Sequence, residues 1–347
     1  MPRPATCLPH ETRYMKKVLR IYFALGLLLI IMFVLGIIIG PYPMTLGELW
    51  QVLIHGPVGN ASMLHTIIWD IRLPHMIGAV VIGAALAVSG AAYQGLFINP
   101  LVSPEILGVL AGAGFGAALG LSLSDHFLIV QLCSLAFGLL AVGLAVGLAW
   151  RVGGDDGLIV LVLSGMIIAA LFAAGLSILK YTADPYDKLP AIVYWLMGSL
   201  GQITWSQLAW SVPVVVVGSV LLILQAQRLN IMSQGDEEAQ SLGVAVIRTR
   251  ISIIVLTTIL SSVTVMLAGM IAWVGLIVPH LTRLLLGADN RLVLPGSVLI
   301  GAIYLMTVDV LSRSLFSVEI PIGILTALIG LPIFAGLLLR LGASGWR

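Results

Sequence analysis

Between Lys188 and Arg228, and again between Arg250 and Arg283, the chain contains no Asp, Glu, Lys or Arg. Uninterrupted stretches of this kind reach or exceed the ~20 residues that a helix needs to cross a bilayer. Further charge-free runs cover Ile21–Gly47, Leu73–Pro104, Phe127–Trp150, Gly157–Leu179 and Ile320–Leu339, with shorter ones at Ile106–Ser124 and Leu292–Val308. Only 9% of the 347 residues are charged, far below the roughly 25% of soluble domains, and the mean hydropathy is +1.11. The expected fold class is therefore an all-α polytopic membrane protein.

The seventeen Lys and Arg residues orient the spans, because basic side chains are retained on the cytoplasmic side during insertion. Arg3, Arg13, Lys16, Lys17 and Arg20 place the N-terminal tail inside. Successive crossings then expose Arg72, bring Arg151 inside, expose Lys180 and Lys188, and return Arg228, Arg248 and Arg250 to the cytoplasm. The Ile251–Thr282 run must turn back on itself to keep Arg283 and Arg291 inside, so it is read as an outward helix, Ile251–Met270, and a short return, Ala272–Leu286. Two more crossings put Arg313 outside and Arg340 and Arg347 inside. The count is about ten transmembrane helices with both termini cytoplasmic, thirteen basic residues inside and four outside. The expected organisation is a tail over 1–19, a transmembrane domain over 20–342 and a short C-terminal end over 343–347.

Several function classes find little support. Cys7 and Cys133 suggest neither a disulfide framework nor a thiolate metal site. The lysines, at 16, 17, 180 and 188, permit no Gly-x-x-x-x-Gly-Lys-Ser/Thr phosphate loop, so any ATP that drives this protein is hydrolysed by a partner. No nucleophile and base set is visible among the scattered histidines, and the chain is read as a non-enzyme that binds no metal, cofactor or nucleic acid. A secondary transporter needs ionisable groups within the spans. Asp309 is the main candidate, with Arg313 one helical turn on as its partner. Small residues recur every four positions at Gly83, Ala87 and Ala91 and at Gly112, Gly116 and Gly120, a spacing that lets helices pack closely in lipid. The first apolar run starts like a secretory signal but ends in Gly40-Pro41-Tyr42 without a clear cleavage site, so it is taken as an uncleaved first helix.

One cytoplasmic stretch stands out as polar: Ser233 to Gly243, comprising Gly235, Asp236, Glu237, Glu238, Ala239, Gln240, Ser241, Leu242 and Gly243 after Ser233-Gln234. Ser233 with Asp236 reads as a capping box, acids fill the first turn, and Gly243 suits the C-terminal cap, so a helix of about two turns is expected. Its apolar Ala239 and Leu242 would dock into a groove on another protein; the alternative is a solvated connector. Asn99–Glu105 reads as a turn followed by a helix start, with Ser103 as N-cap and Pro104 at the first position. Arg151–Gly157 is a glycine-bearing connection between the fourth and fifth spans.

Arg72-Leu73-Pro74-His75, the run Gly83–Leu96, Asn99-Pro100-Leu101 and Leu107-Gly108-Val109 resemble the permease family of bacterial ABC importers for iron-siderophores, haem and vitamin B12. In the second half, Gly275–Arg283, Leu294-Pro295-Gly296, Asp309 with Arg313, and Ile320-Pro321-Ile322-Gly323 follow the order of the same family. The resemblance covers nearly the whole chain from the first span onward. It implies type II ABC importer architecture: a homodimer of ten-helix subunits in the inner (plasma) membrane, two cytoplasmic ATPases that use ATP and Mg, and a periplasmic or lipid-anchored substrate-binding protein. It further implies that residues 235–244 form the coupling helix against the ATPase. Arg72, His75 and Arg313 correspond to residues that dock the binding protein, with His75 where the family commonly has Arg. For Arg72 and Arg313 the local readings, an interfacial anchor beside Asp70 and a pair with Asp309, stand beside that role. The fifth span would face the path and offers Ser164, Met166 and Ser177. Such a lining suits a bulky chelate, with ferric siderophore first, then haem or cobalamin, and an oxyanion such as molybdate as an alternative cargo.

Overall fold

In hydrocarbon every backbone amide needs a partner, and a helix supplies it within its own segment. The computed structural model describes residues 9–40, 42, 44–55, 63–124, 126–152, 157–315 and 318–344, and over these the chain is helical. In chain order the helices are α1 (Pro9–Ile38), α2 (Leu46–His55), α3 (Met63–Thr66), α4 (Leu73–Leu96), α5 (Val109–Leu123), α6 (Phe127–Val152), α7 (Gly157–Thr182) and α8 (Lys188–Met197). They continue with α9 (Trp205–Leu224), α10 (Ala226–Met232), α11 (Asp236–Ser241), α12 (Val246–Ala268), α13 (Val274–Leu286), α14 (Asn290–Ser314) and α15 (Ile322–Ser344). A π-helical turn, Ile67–Arg72, joins α3 to α4, and a 3₁₀ turn, Pro104–Leu107, leads into α5.

Among the described residues seven helices are long and apolar enough to cross a membrane: α1, α4 with its N-terminal extension, α6, α7, α9, α12 and α14. The shorter apolar helices α5, α13 and α15 complete the expected set of about ten. Side-chain bonds join helix ends on two opposite sides of the bundle. On one side Tyr14 of α1 donates to the Leu286 carbonyl closing α13 (3.1 Å), and Asn230 of α10 donates to Asp289 ahead of α14 (2.6 Å). On the other, Arg72 at the start of α4 reaches the last carbonyls of α1, and Ser312 of α14 binds the Ile320 carbonyl ahead of α15.

The bundle is organised around α4. In its most apolar window 89% of residues are buried, against 11% for α1, and α4 packs on α9, α12, α13 and α14. The second stripe of small residues joins α5 to α6: a Cβ on Gly112 would collide with the Phe137 carbonyl, one on Gly116 with that of Cys133, and one on Gly120 with the Val130 backbone. The stripes are packing faces, as close helix approach in lipid demands.

Two local expectations, the tail and the Ser103 cap, are corrected, and the structure adds two helices, α2 and α8. The Leu189–Gln227 run is two helices: α8 stops at Gly198, whose φ is +76°, and α9 is the crossing. Thr204 and Gln207 form a capping box that starts α9, with Thr204 N–H donating to Gln207 Oε1 at 2.8 Å. Helix α1 begins at Pro9, inside the stretch read as a tail. The connection after α1 contains α2, opened by a second capping box in which Thr45 and Glu48 bond reciprocally; these bonds hold the Glu48 carboxyl below its ordinary range. Finally, Ser103 precedes a 3₁₀ turn without capping it. Cys7 and residues 153–156 of the Arg151–Gly157 connection lie outside the described residues.

Candidate functional site

The polar segment forms α11, a single short helix standing between α10 and α12. Its predicted capping box does not form: Ser233 Oγ turns back to the Asn230 carbonyl of α10 (2.7 Å), and Gly235, at φ +121°, is the N-cap. A side-chain cap has to approach the first-turn amides, and Ser233 is already committed to closing the preceding helix. Gly243 does end the unit at φ +81°, with Val244 N–H donating to the Ala239 carbonyl. This is the left-handed exit that glycine adopts without steric cost.

The face presented by α11 is more acidic than expected. Ala239 is fully buried, whereas Leu242 is 62% exposed beside exposed Glu237, Glu238 and Gln240. One tie holds the helix itself and a second holds its neighbour α10. Arg250 of α12 donates through Nη2 to both carboxylate oxygens of Asp236, at 3.2 and 3.0 Å. Through α10, Asn230 donates to Asp289 and accepts from Asn290 N–H (2.9 Å). Asp289 also binds Arg291 at 2.7–3.1 Å, and that guanidinium pulls its carboxyl down to about 2. Asn230 and Asp289 thus join α10, the neighbour of α11, to the start of α14. Arg250, Asn230 and Asp289 escaped the sequence reading, since no local period links them to Asp236.

Behind α11, the 99–107 connection packs into the bundle. Asn99 Oδ1 accepts from Leu101 N–H (2.9 Å), and His280 of α13 contacts the Pro100 carbonyl at 2.9 Å. Gln94 bridges the Leu276 carbonyl and Arg283. Glu105 faces the backbone amide of Trp273, and burial pushes its carboxyl up to about 7. Trp273 precedes α13 with φ +73°, a conformation unusual for a bulky residue.

At the far end, Arg72, His75 and Arg313 come together, but all three are buried, at 4%, 5% and 5% exposure. Arg72 donates to the carbonyls of Ile37, Ile38 and Tyr42. Arg313 donates to Asp309 (2.7 Å) and to the Gly36 carbonyl (3.1 Å). His75 Nε2 lies 3.0 Å from the other Asp309 oxygen. Helix C-termini leave carbonyls unpaired, and these two arginines satisfy those of α1. In this arrangement the trio offers a partner no exposed charge, contrary to the expectation of a docking surface, while the Asp309 and Arg313 pair is present as read.

Along α7 the three path candidates separate. Ser164 is 3% exposed and Met166 56%, because two residues on a helix turn it by about 200°. Ser177, eleven residues beyond Met166, returns to that residue's face and is exposed, its hydroxyl bonded to the Ala173 carbonyl (2.9 Å). Ser164 is therefore removed from the candidate lining. Among the described residues no group of three or more His, Cys, Asp or Glu converges.

A family model described as the FecCD transport family matches residues 28–340. The chain belongs to the FecCD transport family. Relatives of this FecCD permease include the molybdate import system permease protein MolB of Haemophilus influenzae, 40% identical over 335 residues, covering 94% of this chain and 97% of that one. The hemin transport system permease protein HmuU of Yersinia pestis is also 40% identical, over 328 residues, covering 91% and 95%. Among solved structures, a metal-chelate type ABC transporter in an inward-facing conformation superimposes with a TM-score of 0.83 at 38% identity, covering 93% of this chain and 99% of that one. The chain is thus a multi-pass ABC importer permease.

Proposed function

We propose that this FecCD permease carries a metal chelate, with ferric siderophore the first candidate, from an external binding protein to the cytoplasm. In this reading two copies enclose the path, both termini and α11 face the cytoplasm, and a separate ATPase that uses ATP and Mg drives alternating access through α11. The carrying observation is α11 itself. An exposed acidic surface with Leu242 at its edge, clamped below by Arg250 and standing on an α10 that Asn230 fixes to Asp289, has the form of a rigid contact for another protein.

The cargo assignment rests on α7, whose exposed face offers Met166, Leu163, Ile167, Leu171 and Ser177 and no carboxylate. A bare cation would need hard oxygen ligands, whereas a bulky chelate needs an apolar, weakly binding wall. A molybdate cargo is the second reading, favoured by the relative named for molybdate at the same 40% identity as the one named for hemin. An ion-coupled secondary transporter loses its coupling residue, since Asp309 is occupied by Arg313 and His75.

The test has two arms. The full chain purified from its host should carry an ABC ATPase with it, and a preparation active in transport without one would overturn the ATP-driven reading. The cognate binding protein, titrated with ferric siderophores, haem, cobalamin and molybdate, should bind a ferric siderophore; binding of molybdate alone would replace the cargo assignment.

A further inference from the structure

An open groove of about 670 Å³ runs between α6 and α12, closed at its end by Leu161 of α7. Its walls come from the second half of α6, Leu139 to Trp150, and the first half of α12, Ile247 to Ile259. It therefore opens within one leaflet, on the side that bears α11. We propose that this groove holds an anionic phospholipid of that leaflet, its acyl chain against α6 and α12 and its phosphate on Arg250.

Three independent observations point to this occupant. The floor is uncovered by the chain itself: a Cβ on Gly143 or Gly147 would meet nothing within 4 Å. A long apolar slot in a membrane protein is filled by hydrocarbon, since only an apolar occupant gains dispersion contact there without losing hydration.

The second observation is Arg250, the one ionisable residue among those lining the groove. Its Nη2 serves Asp236, but its Nε is buried and has no hydrogen-bond partner among the described residues. A guanidinium offers five donors in a planar fork, so a phosphodiester oxygen can take the Nε edge while Asp236 keeps Nη2. An unpartnered buried donor of a charged group is costly, and a lipid phosphate is the acceptor that reaches this depth from the leaflet surface.

The third observation is the rim. Trp150 is 70% exposed at the end of α6, where indole rings favour the headgroup level. Arg151 and Arg248 are exposed at the same end. These guanidinium groups stand opposite the acids of α11, and a headgroup with net negative charge suits them better than a zwitterionic one, whose own cation would face the arginines. The site stands whether or not α11 meets an ATPase.

The full-length chain reconstituted in vesicles of phosphatidylglycerol and phosphatidylcholine tests the proposal, with either lipid carrying brominated acyl chains that quench nearby tryptophan. The Trp150 contribution is obtained by difference from Trp150→Phe. Brominated phosphatidylglycerol should occupy the site about fivefold more readily than brominated phosphatidylcholine, the scale of one basic residue near a charged headgroup. Arg250→Gln should lower that ratio severalfold, and Gly147→Leu should lower quenching by both lipids. Asp236→Asn, which frees Arg250 for the phosphate, should raise the ratio and provides a readout if Arg250→Gln fails to fold. Equal quenching by the two lipids in the wild type, or an unchanged ratio in both charge variants, would overturn the proposal. So would efficient copy-to-copy crosslinking through Gly147→Cys, which would make the groove a contact between subunits.

Discussion

Gly83 of α4 and Gly301 of α14 face each other so closely that a Cβ on either would overlap the carbonyl oxygen of the other. This mutual contact sets the distance between the central helix and one of its main packing partners. Because backbone stands on both sides, neither helix can yield by rotating a side chain. Gly83→Leu should therefore lower stability by at least the ~1–3 kcal/mol typical of overpacking. Gly143→Ala, with open space at its Cβ, should be close to neutral. Thermal unfolding of both variants in detergent checks the contrast, and equal melting temperatures would count against this account of α4.

The buried Asp309 carboxylate counters both Arg313 and His75. Asp309→Asn leaves the buried Arg313 guanidinium without its counter-charge, a change that costs about 3–5 kcal/mol. Replacing the pair together, Asp309→Leu with Arg313→Met, should be less damaging than the sum of the single changes. A thermodynamic cycle over the four proteins measures the difference, and strict additivity would show that the pair contributes no coupling.

Glu105 introduces a pH dependence. Its carboxyl is raised from the ordinary 4.5 to about 7, so the folded state binds more protons than the unfolded chain between those values. Stability contributed by the protonated group is then present below about pH 4.5 and lost as pH rises through 7. Glu105→Gln should flatten this decline and be more stable than the wild type at pH 8, by no more than about 3 kcal/mol. Melting curves from pH 5 to 8.5 test it; parallel curves for the two proteins would rule out Glu105 as the source.

Leu242 and Ala239, three residues apart in sequence, should respond in opposite ways to the same substitution. Ala239→Glu places a charge in a fully buried site and should cost several kcal/mol, leaving little folded protein. Leu242→Glu sits on an exposed edge and should leave the stability within about 0.5 kcal/mol of the wild type. It should still cut transport and disconnect it from ATP hydrolysis in the reconstituted importer. Full transport by folded Leu242→Glu would remove Leu242 from the coupling surface.

Much of the architecture was readable along the chain. Charge-free runs located the crossings, and the basic residues required the turn between α12 and α13, because hydropathy and insertion depend on composition within each segment. The small-residue stripes marked real helix contacts for the same reason: a four-residue spacing is a local property. The site was less legible. The α11 helix was visible through its acids and Gly243, yet its cap failed because Ser233 binds a carbonyl in the preceding helix. Ala239 pointed inward because α12 packs there, and Ser164 left the candidate lining through its position around α7.

Sequence by itself determined the membrane class, the number and alternation of the spans, the place of the polar helix and the family. Only the tertiary structure decided which polar groups meet: Arg250 with Asp236, Asn230 with Asp289, and Arg72 and Arg313 with the end of α1. Local pattern reports how each segment partitions between water and lipid. Pairing between distant residues depends on how the helices cross, and no single segment encodes that geometry.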